Sequence, residues 1–324
     1  MMGVSIRTDL AVETRELYKQ SNNIEVPGVE VDTEDLSDIN VTRVKITTIE
    51  GAEAMGKPIG NYITLEIPKL NDNLKDLNDR TAGALANEIR SITNLSDEST
   101  ILIVGLGNWN VTPDALGPKA VSYIAVTRHL IEYVPEYIEN GVRSVCSVAP
   151  GVLGITGIET GEIIKGVVDK VKPNLVIAID ALASRKMDRI STTIQIADTG
   201  ISPGSGVGNK RMGLSQLTLG VPVIAIGVPT VVDAVTVAND TLNLMVDTMI
   251  KEVDEGSEFY RMLKKMDQDD KSTLVREVLS PYVGELVVTP KEIDSIISNV
   301  SHVVADGINI AIHGTIENAE KYLN

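Results

Sequence analysis

The chain has 324 residues, which is enough to bury a sizeable core, and its 43% hydrophobic and 23% charged residues are typical of a soluble globular protein. Acidic residues outnumber basic ones by 45 to 29, and the formal net charge of −16 disfavours direct binding to nucleic acid or to an anionic membrane. The single cysteine, Cys146, excludes an internal disulfide and favours a cytoplasmic location, and no apolar run has the length of a signal peptide or a membrane span.

The first 100 residues show no alternation of buried strands and helices and predict an antiparallel strand pair and a helix. Residues 1–40 are polar and acidic, with a turn signal at Val26-Pro27-Gly28. Arg43–Ile49 and Asn61–Ile67 have strand length and flank a turn region, so residues 40–70 predict a small antiparallel accessory layer. Thr81–Leu95 has the apolar spacing of a helix.

From residue 100 onward, short apolar runs alternate with helical patterns. The predicted strands are Thr100–Leu106, Ser144–Val148, Leu175–Ile179, Thr193–Ile196, Pro222–Ile226 and Glu285–Val288. The predicted helices are Ala120–Tyr133, Glu159–Val171, Val231–Val253 and one that begins at Pro290, and residues 254–272 predict an exposed, charged excursion. Strands that are buried on both faces and alternate with helices predict an α/β fold, with a mostly parallel twisted sheet and helices on both faces.

In such a sheet, ligands bind in the crevice beyond the carboxyl ends of the strands, and the sequence places two carboxylates there. Asp180 follows the run Leu175–Ile179 directly, and Asp114 lies in the loop rich in Gly, Pro and Asn after Thr100–Leu106. Each could instead be a helix cap or a turn residue. If the two side chains meet, they cannot both ionise cheaply, so the pair can hold one proton and act as general base and general acid on an amide bond.

Two further features are weaker candidates for substrate binding. Asp198 ends the predicted strand segment Thr193–Ala197 and is a third carboxylate at the same edge. The loop Pro203–Lys210, which contains Gly204, Ser205 and Gly206, could bind an anion through its backbone N–H groups, or could simply be flexible.

The residues alone leave three classes of function open. The carboxylates could serve a peptidase directly, or they could hold a divalent metal ion in a metal-dependent one. The third class is a protein without catalytic activity whose glycine-rich loops hold an anionic ligand. The histidines His129, His302 and His313 are scattered and show no metal-binding spacing.

A resemblance to a known family narrows this choice. The chain resembles the germination proteases of spore-forming Firmicutes over nearly its whole length. The segments that carry the resemblance are Ile6–Glu13, Val111–Lys119 (VTPDALGPK), Pro150–Val152, Thr156–Thr160, Ala178–Ala183, Pro203–Arg211, Pro229–Val235 and Thr289–Glu292.

The resemblance implies an endopeptidase that initiates the degradation of small acid-soluble spore proteins during germination, in the cytoplasm of the spore core. It implies an atypical aspartic peptidase in which Asp114 and Asp180 are the catalytic pair, with no cofactor and with a homotetrameric assembly. It also implies a fold similar to that of the hydrogenase-maturation proteases. Carboxylates in equivalent loops of those proteins bind a metal, which keeps the metal-dependent alternative open.

The resemblance further implies that the enzyme is made as a zymogen and removes its own propeptide. The matching bond here is Asp9–Leu10, so residues 1–9 would be the propeptide and residues 10–324 a single protease domain. An acidic residue followed by an aliphatic one also resembles the cleavage sites in the family's substrates.

Overall fold

The computed structural model describes residues 8–22, 24–139, 142–202, 212–254, 256–265 and 286–323. Its strands are β1 (Val29–Asp35), β2 (Asn40–Ile46), β3 (Gly60–Glu66), β4 (Thr100–Gly105), β5 (Ser144–Val148), β6 (Leu175–Ser184), β7 (Thr193–Ala197), β8 (Val223–Asp233) and β9 (Val287–Val288). All nine belong to one sheet, in the order β1-β2-β3-β7-β8-β6-β4-β5, with β9 beside the end of β8. The chain therefore has an α/β architecture built on a single sheet.

The sheet is mixed, which corrects the predicted mostly parallel arrangement. The pairs β4–β5, β4–β6 and β6–β8 are parallel, whereas β1–β2, β2–β3, β3–β7, β7–β8 and β8–β9 are antiparallel. The predicted antiparallel pair exists as β2 and β3, but it continues the main sheet instead of forming a separate layer. The reason is β7, which is buried along its whole length and joins β3 to β8.

Helices cover the sheet and its ends. They are α1 (Ala11–Asn22), α2 (Ile49–Met55), α3 (Lys75–Ser91), α4 (Leu116–Val121), α5 (Arg128–Tyr133), α6 (Leu153–Thr156), α7 (Thr160–Val171), α8 (Gln216–Leu219), α9 (Ala234–Glu252), α10 (Glu258–Lys265), α11 (Ile293–His313) and α12 (Ile316–Glu320). Helix α10 lies within the predicted charged excursion, and residues 266–272 of that excursion are outside the described residues.

The hydrophobic core has a layer on each side of the parallel strands, as the sequence predicts. Alternate residues of a strand point to opposite faces. Ile101 and Ile103 of β4 accordingly join the core formed with α3, α4 and α11, while Leu102 and Val104 join the core formed with α7 and α8. Among the described residues, only α11 is long and apolar enough to cross a membrane, and 67% of that stretch is buried inside the fold.

The predicted helix Ala120–Tyr133 is wrong, because the chain leaves helical geometry between α4 and α5. Thr127 accounts for the break: its N–H donates to the carbonyl of Val145 at 3.0 Å, and its hydroxyl accepts from the Val145 N–H at 2.9 Å. The side chain of Asn309 in α11 holds the same segment through the Ala125 N–H at 3.0 Å. Contacts to β5 and α11 therefore replace the backbone bonds of a continuous helix.

His313, at the end of α11, holds this segment as well. Its Nε2 lies 3.3 Å from the carbonyl oxygen of Ala125, and its Nδ1 is buried with no hydrogen-bond partner among the described residues. Burial lowers the pKa of His313 below its ordinary value of 6.5; the hydrogen bond to Ala125 opposes this shift, and Arg143 adds to it.

This burial predicts an acid-dependent loss of stability. Because the pKa of His313 is lower in the folded protein, the unfolded chain binds more protons near that pKa, and stability falls as the pH drops through it. We expect His313→Gln to reduce the loss of unfolding free energy between about pH 7.5 and about pH 5, because Gln does not titrate. Denaturant melts at several pH values measure this, with exposed His129→Gln as the control. An unchanged pH slope in His313→Gln would contradict the assignment.

Candidate active site

A cavity of about 940 Å³ lies at the carboxyl ends of β4, β6 and β8. This is the edge at which ligands bind in sheets with parallel strands. Asp114 and Asp180 both line the cavity, so the structure brings the two predicted carboxylates to one site.

Asp180 lies inside strand β6. The strand continues to Ser184, so the alternative that Asp180 caps a helix beginning at Ala181 is wrong. Its side chain is buried, with 7% of the residue exposed, and its Oδ1 accepts a hydrogen bond from the Ala181 N–H at 2.9 Å. The strand thus holds this carboxylate at a fixed point of the cavity wall.

Asp114 ends a short 3-10 turn, Thr112–Asp114. The N–H of Asn108 donates to its Oδ2 at 2.8 Å and to its backbone carbonyl at 3.1 Å, so the loop closes on itself. Gly107 makes this closure possible, because it adopts a φ of +117° and a side chain there would meet the Asp114 carbonyl oxygen at 2.0 Å.

A close backbone contact joins the Asp114 loop to the strand that carries Asp180. The Leu106 N–H donates to the carbonyl of Ile179 at 2.8 Å. Gly117 packs directly on this bond: a Cβ at Gly117 would lie 2.5 Å from the Leu106 nitrogen and 2.6 Å from the Ile179 oxygen. A glycine is therefore required where α4 begins, and it sets the distance between the two carboxylate-bearing segments.

A row of residues across three strands forms the floor of the cavity. Gly227 of β8 is the register partner of Asp180 on β6 and also of Gln195 on β7. Register partners direct their side chains to the same face of a sheet, and neighbouring strands lie about 4.8 Å apart, so Asp180 and Gln195 face one another across roughly 10 Å. Gly227 between them has no side chain, and the side chain of Leu182 packs on it: a Cβ at Gly227 would lie 2.4 Å from a methyl carbon of Leu182.

The chain's own N-terminal segment enters this cavity. Thr8 and Asp9 line it. The N–H of Asp9 donates to the Ala183 carbonyl at 3.1 Å, and Oδ2 of Asp9 accepts from the Ala183 N–H at 2.9 Å. Leu10 is 0% exposed and packs with Val12 and Leu182. An acidic residue and the aliphatic one after it are thus held along the outer end of β6.

Two side chains meet the carbonyl oxygen of Asp9. Nζ of Lys57 donates to it at 2.9 Å, and Nε2 of Gln195 donates to it at 3.2 Å. Gln195 also accepts the N–H of Ala11 on its Oε1 at 2.6 Å. Burial lowers the pKa of Lys57, and the carboxylates of Asp9 and Glu13 oppose that shift.

Lys57 and Gln195 are not among the residues predicted from the sequence. Lys57 lies in the connection between α2 and β3, far from any predicted catalytic motif. Gln195 did leave a signal, since it is the one amide within the otherwise apolar stretch Ile194–Ala197 of β7. A polar residue in the middle of a buried strand needs a partner, and here that partner is the N-terminal segment.

A buried ion pair fixes the first helix behind this segment. Glu13 is 1% exposed, and its carboxylate accepts from the backbone N–H groups of Arg185 at 2.7 Å and Lys186 at 3.0 Å. Arg189 lies 3.3 Å from Glu13 and 2.7 Å from Glu16. These contacts tie α1 to the loop that follows β6.

The remaining predicted site residues lie elsewhere. Asp198 accepts from the backbone N–H of Asn61 at 2.8 Å and from its side-chain amide at 2.6 Å, so it ties β7 to β3. It is not among the described residues that line the cavity, and its role in substrate binding stays a prediction. Gly204, Ser205 and Gly206 lie outside the described residues. Within the described part of the chain, no three His, Cys, Asp or Glu side chains converge as a metal-ligand set.

Comparison with known proteins identifies the class. The sequence profile of the family described as germination protease matches residues 6–265 and 255–323. The germination protease of Clostridium tetani is 53% identical over 323 residues, which cover 99% of this chain and 100% of that protein. That of Caldanaerobacter subterraneus is 56% identical over 321 residues, covering 99% and 98% of the two chains. That of Bacillus subtilis is 45% identical over 352 aligned positions, covering 98% and 95%.

Matches of this extent show that the protein is a peptidase, a hydrolase of peptide bonds. The chain belongs to the germination protease family. This confirms the resemblance stated from the sequence.

The close packing around Gly117 predicts that a larger residue there would destabilise the protein. We expect Gly117→Ala to lower the free energy of unfolding by about 3 kcal/mol, because backbone atoms on three sides cannot yield to the added methyl group. The matched control is Gly166→Ala in α7, where an added Cβ has no neighbour within 4 Å and should stabilise the protein by about 0.5–1 kcal/mol. Urea denaturation measures both, and equal effects would contradict the close contact.

Proposed function

We propose that this chain is the endopeptidase that initiates the degradation of small acid-soluble spore proteins during germination, by an atypical aspartic mechanism. Asp114 and Asp180 are its catalytic pair. The observation that supports this most strongly is that both carboxylates line a cavity that Asp9 of the chain itself also lines, directly before the buried aliphatic residue Leu10.

In the proposed mechanism the two carboxylates divide the work of amide hydrolysis. The mechanism requires that the two carboxylates approach closely when substrate is bound, because carboxylates in close contact cannot both be charged cheaply and can then share one proton. The ionised member takes a proton from the attacking water, and the protonated member donates its proton to the leaving nitrogen. The fixed position of Asp180 on β6 and the closed loop around Asp114 favour such a division, because neither side chain must reorganise.

We further propose that the protein is made as a zymogen, with residues 1–9 as the propeptide and residues 10–324 as the mature protease domain. The bond Asp9–Leu10 would be a self-substrate held in cis. Its contacts to Ala183, Lys57 and Gln195 support this proposal, because they hold Asp9 in the cavity that Asp114 and Asp180 also line.

The assembly and location are proposed on the family resemblance. The enzyme would act as a homotetramer in the cytoplasm of the spore core, with no cofactor. Its net charge of −16 favours protein substrates over direct contact with nucleic acid. The remaining alternative is a metal-dependent peptidase that uses the same carboxylates, as in the hydrogenase-maturation proteases that its fold is proposed to resemble; membership of a peptidase family removes the third class, an anion-binding protein without catalysis.

One experiment tests the proposed activity. A purified chain that begins at Leu10 is incubated with a small acid-soluble spore protein, with and without a chelator, and the products are analysed by mass spectrometry. We expect discrete cuts after acidic residues that the chelator does not affect. Cuts that disappear with the chelator would establish the metal-dependent alternative. A folded protein that makes no cuts would contradict a peptidase of this substrate.

Substitution of either carboxylate tests the catalytic pair. We expect Asp114→Asn and Asp180→Asn each to lower the cleavage rate by about 10³-fold or more, because the amide can neither accept the proton of water nor donate one of comparable acidity. Asp169→Asn, on the exposed face of α7, is the matched control. Thermal melts check that the variants fold, and a folded variant with full activity would remove that carboxylate from the mechanism.

A further inference from the structure

We propose that Lys57 and Gln195 hold the carbonyl oxygen of the scissile bond and stabilise the negative charge that develops on it during hydrolysis. This inference rests on the proposed function, since it treats Asp9–Leu10 as a bond that the enzyme cleaves. It adds to the carboxylate pair a second group of catalytic residues, two donors that act on the electrophilic side of the bond.

The first observation is the convergence of two donors on one oxygen. The ammonium of Lys57 lies 2.9 Å and the amide nitrogen of Gln195 lies 3.2 Å from the Asp9 carbonyl oxygen. They come from separate elements, the α2–β3 connection and strand β7. Oxyanion sites of peptidases place donors at about 2.7–3.1 Å from the position that the charged oxygen will occupy. The Lys57–Gln195 pair matches this geometry closely.

Gln195 also fixes the direction of the bound chain. Its Nε2 binds the carbonyl of Asp9, and its Oε1 accepts from the N–H of Ala11 at 2.6 Å. One side chain thus contacts the backbone on both sides of the Asp9–Leu10 bond. It is 8% exposed and its strand is buried throughout, so its position is set before a substrate arrives.

The bond lies close to Asp180. Leu10 packs against Leu182, which is two residues after Asp180 on β6. Side chains two residues apart share a face of a strand and lie roughly 7 Å from one another. Asp180 and Gln195 are also both register partners of Gly227. The Asp9 residue, its amide donor on β7 and the carboxylate on β6 thus line one cavity.

Lys57 is held firmly as well. Its backbone N–H donates to the carbonyl of Ala52 at 3.1 Å, after Gly56 has ended α2 in the left-handed conformation. Its ammonium lies 5.9 Å from the centre of the Tyr62 ring. A cation fixed in a largely buried position interacts with a developing negative charge much more strongly than one in water does.

The chemical step is balanced with these groups in place. Water attacks the carbonyl carbon of Asp9, and the electron pair of the C=O bond moves to the oxygen between Lys57 and Gln195. One proton of the water passes to the ionised carboxylate of the pair. When the intermediate collapses, the bond from carbon to the Leu10 nitrogen breaks and that nitrogen receives the proton of the other carboxyl. The products are a carboxyl group on Asp9 and an amine on Leu10.

Self-cleavage of the full chain is the direct test, because it reports on the bond seen in the cavity. Loss of residues 1–9 is followed by mass spectrometry in the wild-type protein, in Lys57→Met and in Gln195→Met. Lys45→Met and Gln20→Met, on exposed parts of β2 and α1, are the matched controls. We expect the first two variants to cleave about 10²–10³-fold more slowly, as when one oxyanion donor is removed, and the controls to cleave at the wild-type rate.

Hydrogen exchange of residues 8–12 distinguishes catalysis from anchoring and also checks that each variant is folded. The segment keeps its pairing with Ala183, the burial of Leu10 and the Glu13 contacts in both variants. We therefore expect the Asp9 amide, whose acceptor is the Ala183 carbonyl, to stay protected while the bond remains uncut, which would support the inference. The Ala11 amide is left out of this comparison, because Gln195→Met removes its acceptor. A released, unprotected segment would show that the pair only anchors the chain, and would overturn it.

The remaining outcomes separate the two proposals. Cleavage of Lys57→Met and Gln195→Met at the wild-type rate would overturn this inference and leave the proposed peptidase intact. Should either Met variant fail to fold, Lys57→Leu and Gln195→Leu, which also lack a donor, take its place, and the same slowing with a protected segment is expected of them. A wild-type chain that never loses residues 1–9 would overturn the self-processing proposal, and the inference with it.

Discussion

The buried carboxylate of Glu13 determines where the N-terminal segment lies, and the contents of the cavity depend on it. A carboxylate with 1% exposure would be strongly destabilising without compensation. Its compensation comes mainly from the loop after β6, where two backbone N–H groups and Arg189 surround it, and the hydroxyl of Thr8 donates to it as well. That loop follows β6, the strand that carries Asp180. The contacts that stabilise the Glu13 carboxylate therefore also hold Asp9 and Leu10 beside the end of β6.

The site forms where the sheet changes from parallel to antiparallel pairing. Strand β8 is parallel to β6 on one side and antiparallel to β7 on the other. The parallel half contributes Asp180 and the Asp114 loop, as a crevice at strand ends would predict. The antiparallel half contributes Gln195 from β7 and Lys57 from the connection into β3. Neither half contains all the groups that contact the Asp9–Leu10 segment.

The sequence predicts the parallel half of this site better than the antiparallel half. Strands β4 and β5 and the crevice position of Asp180 follow from local patterns and from a general rule of α/β sheets. The direction of β7 could not be predicted, because a strand buried on both faces has the same apolar pattern whichever way it runs. The roles of Lys57 and Gln195 could not be predicted for a related reason. Their common partner, the Asp9 carbonyl, is 48 residues from Lys57 and 186 residues from Gln195 along the chain.

The charges in the cavity connect the acidic residue before the scissile bond with the proposed oxyanion site. A cavity with two carboxylates is an unfavourable environment for a third, unless a cation lies nearby. Lys57 is that cation. Its charge favours the ionised form of the Asp9 carboxylate, and the Asp9 carboxylate in turn favours the protonated form of Lys57. Burial lowers its pKa, while the carboxylate of Asp9 raises it again. The acidic residue thus favours the protonated form of Lys57, which is the form that stabilises an oxyanion most strongly. Under the proposed mechanism, a preference for an acidic residue and stabilisation of the scissile carbonyl would have one physical origin, because the carboxylate that is recognised would also keep Lys57 charged.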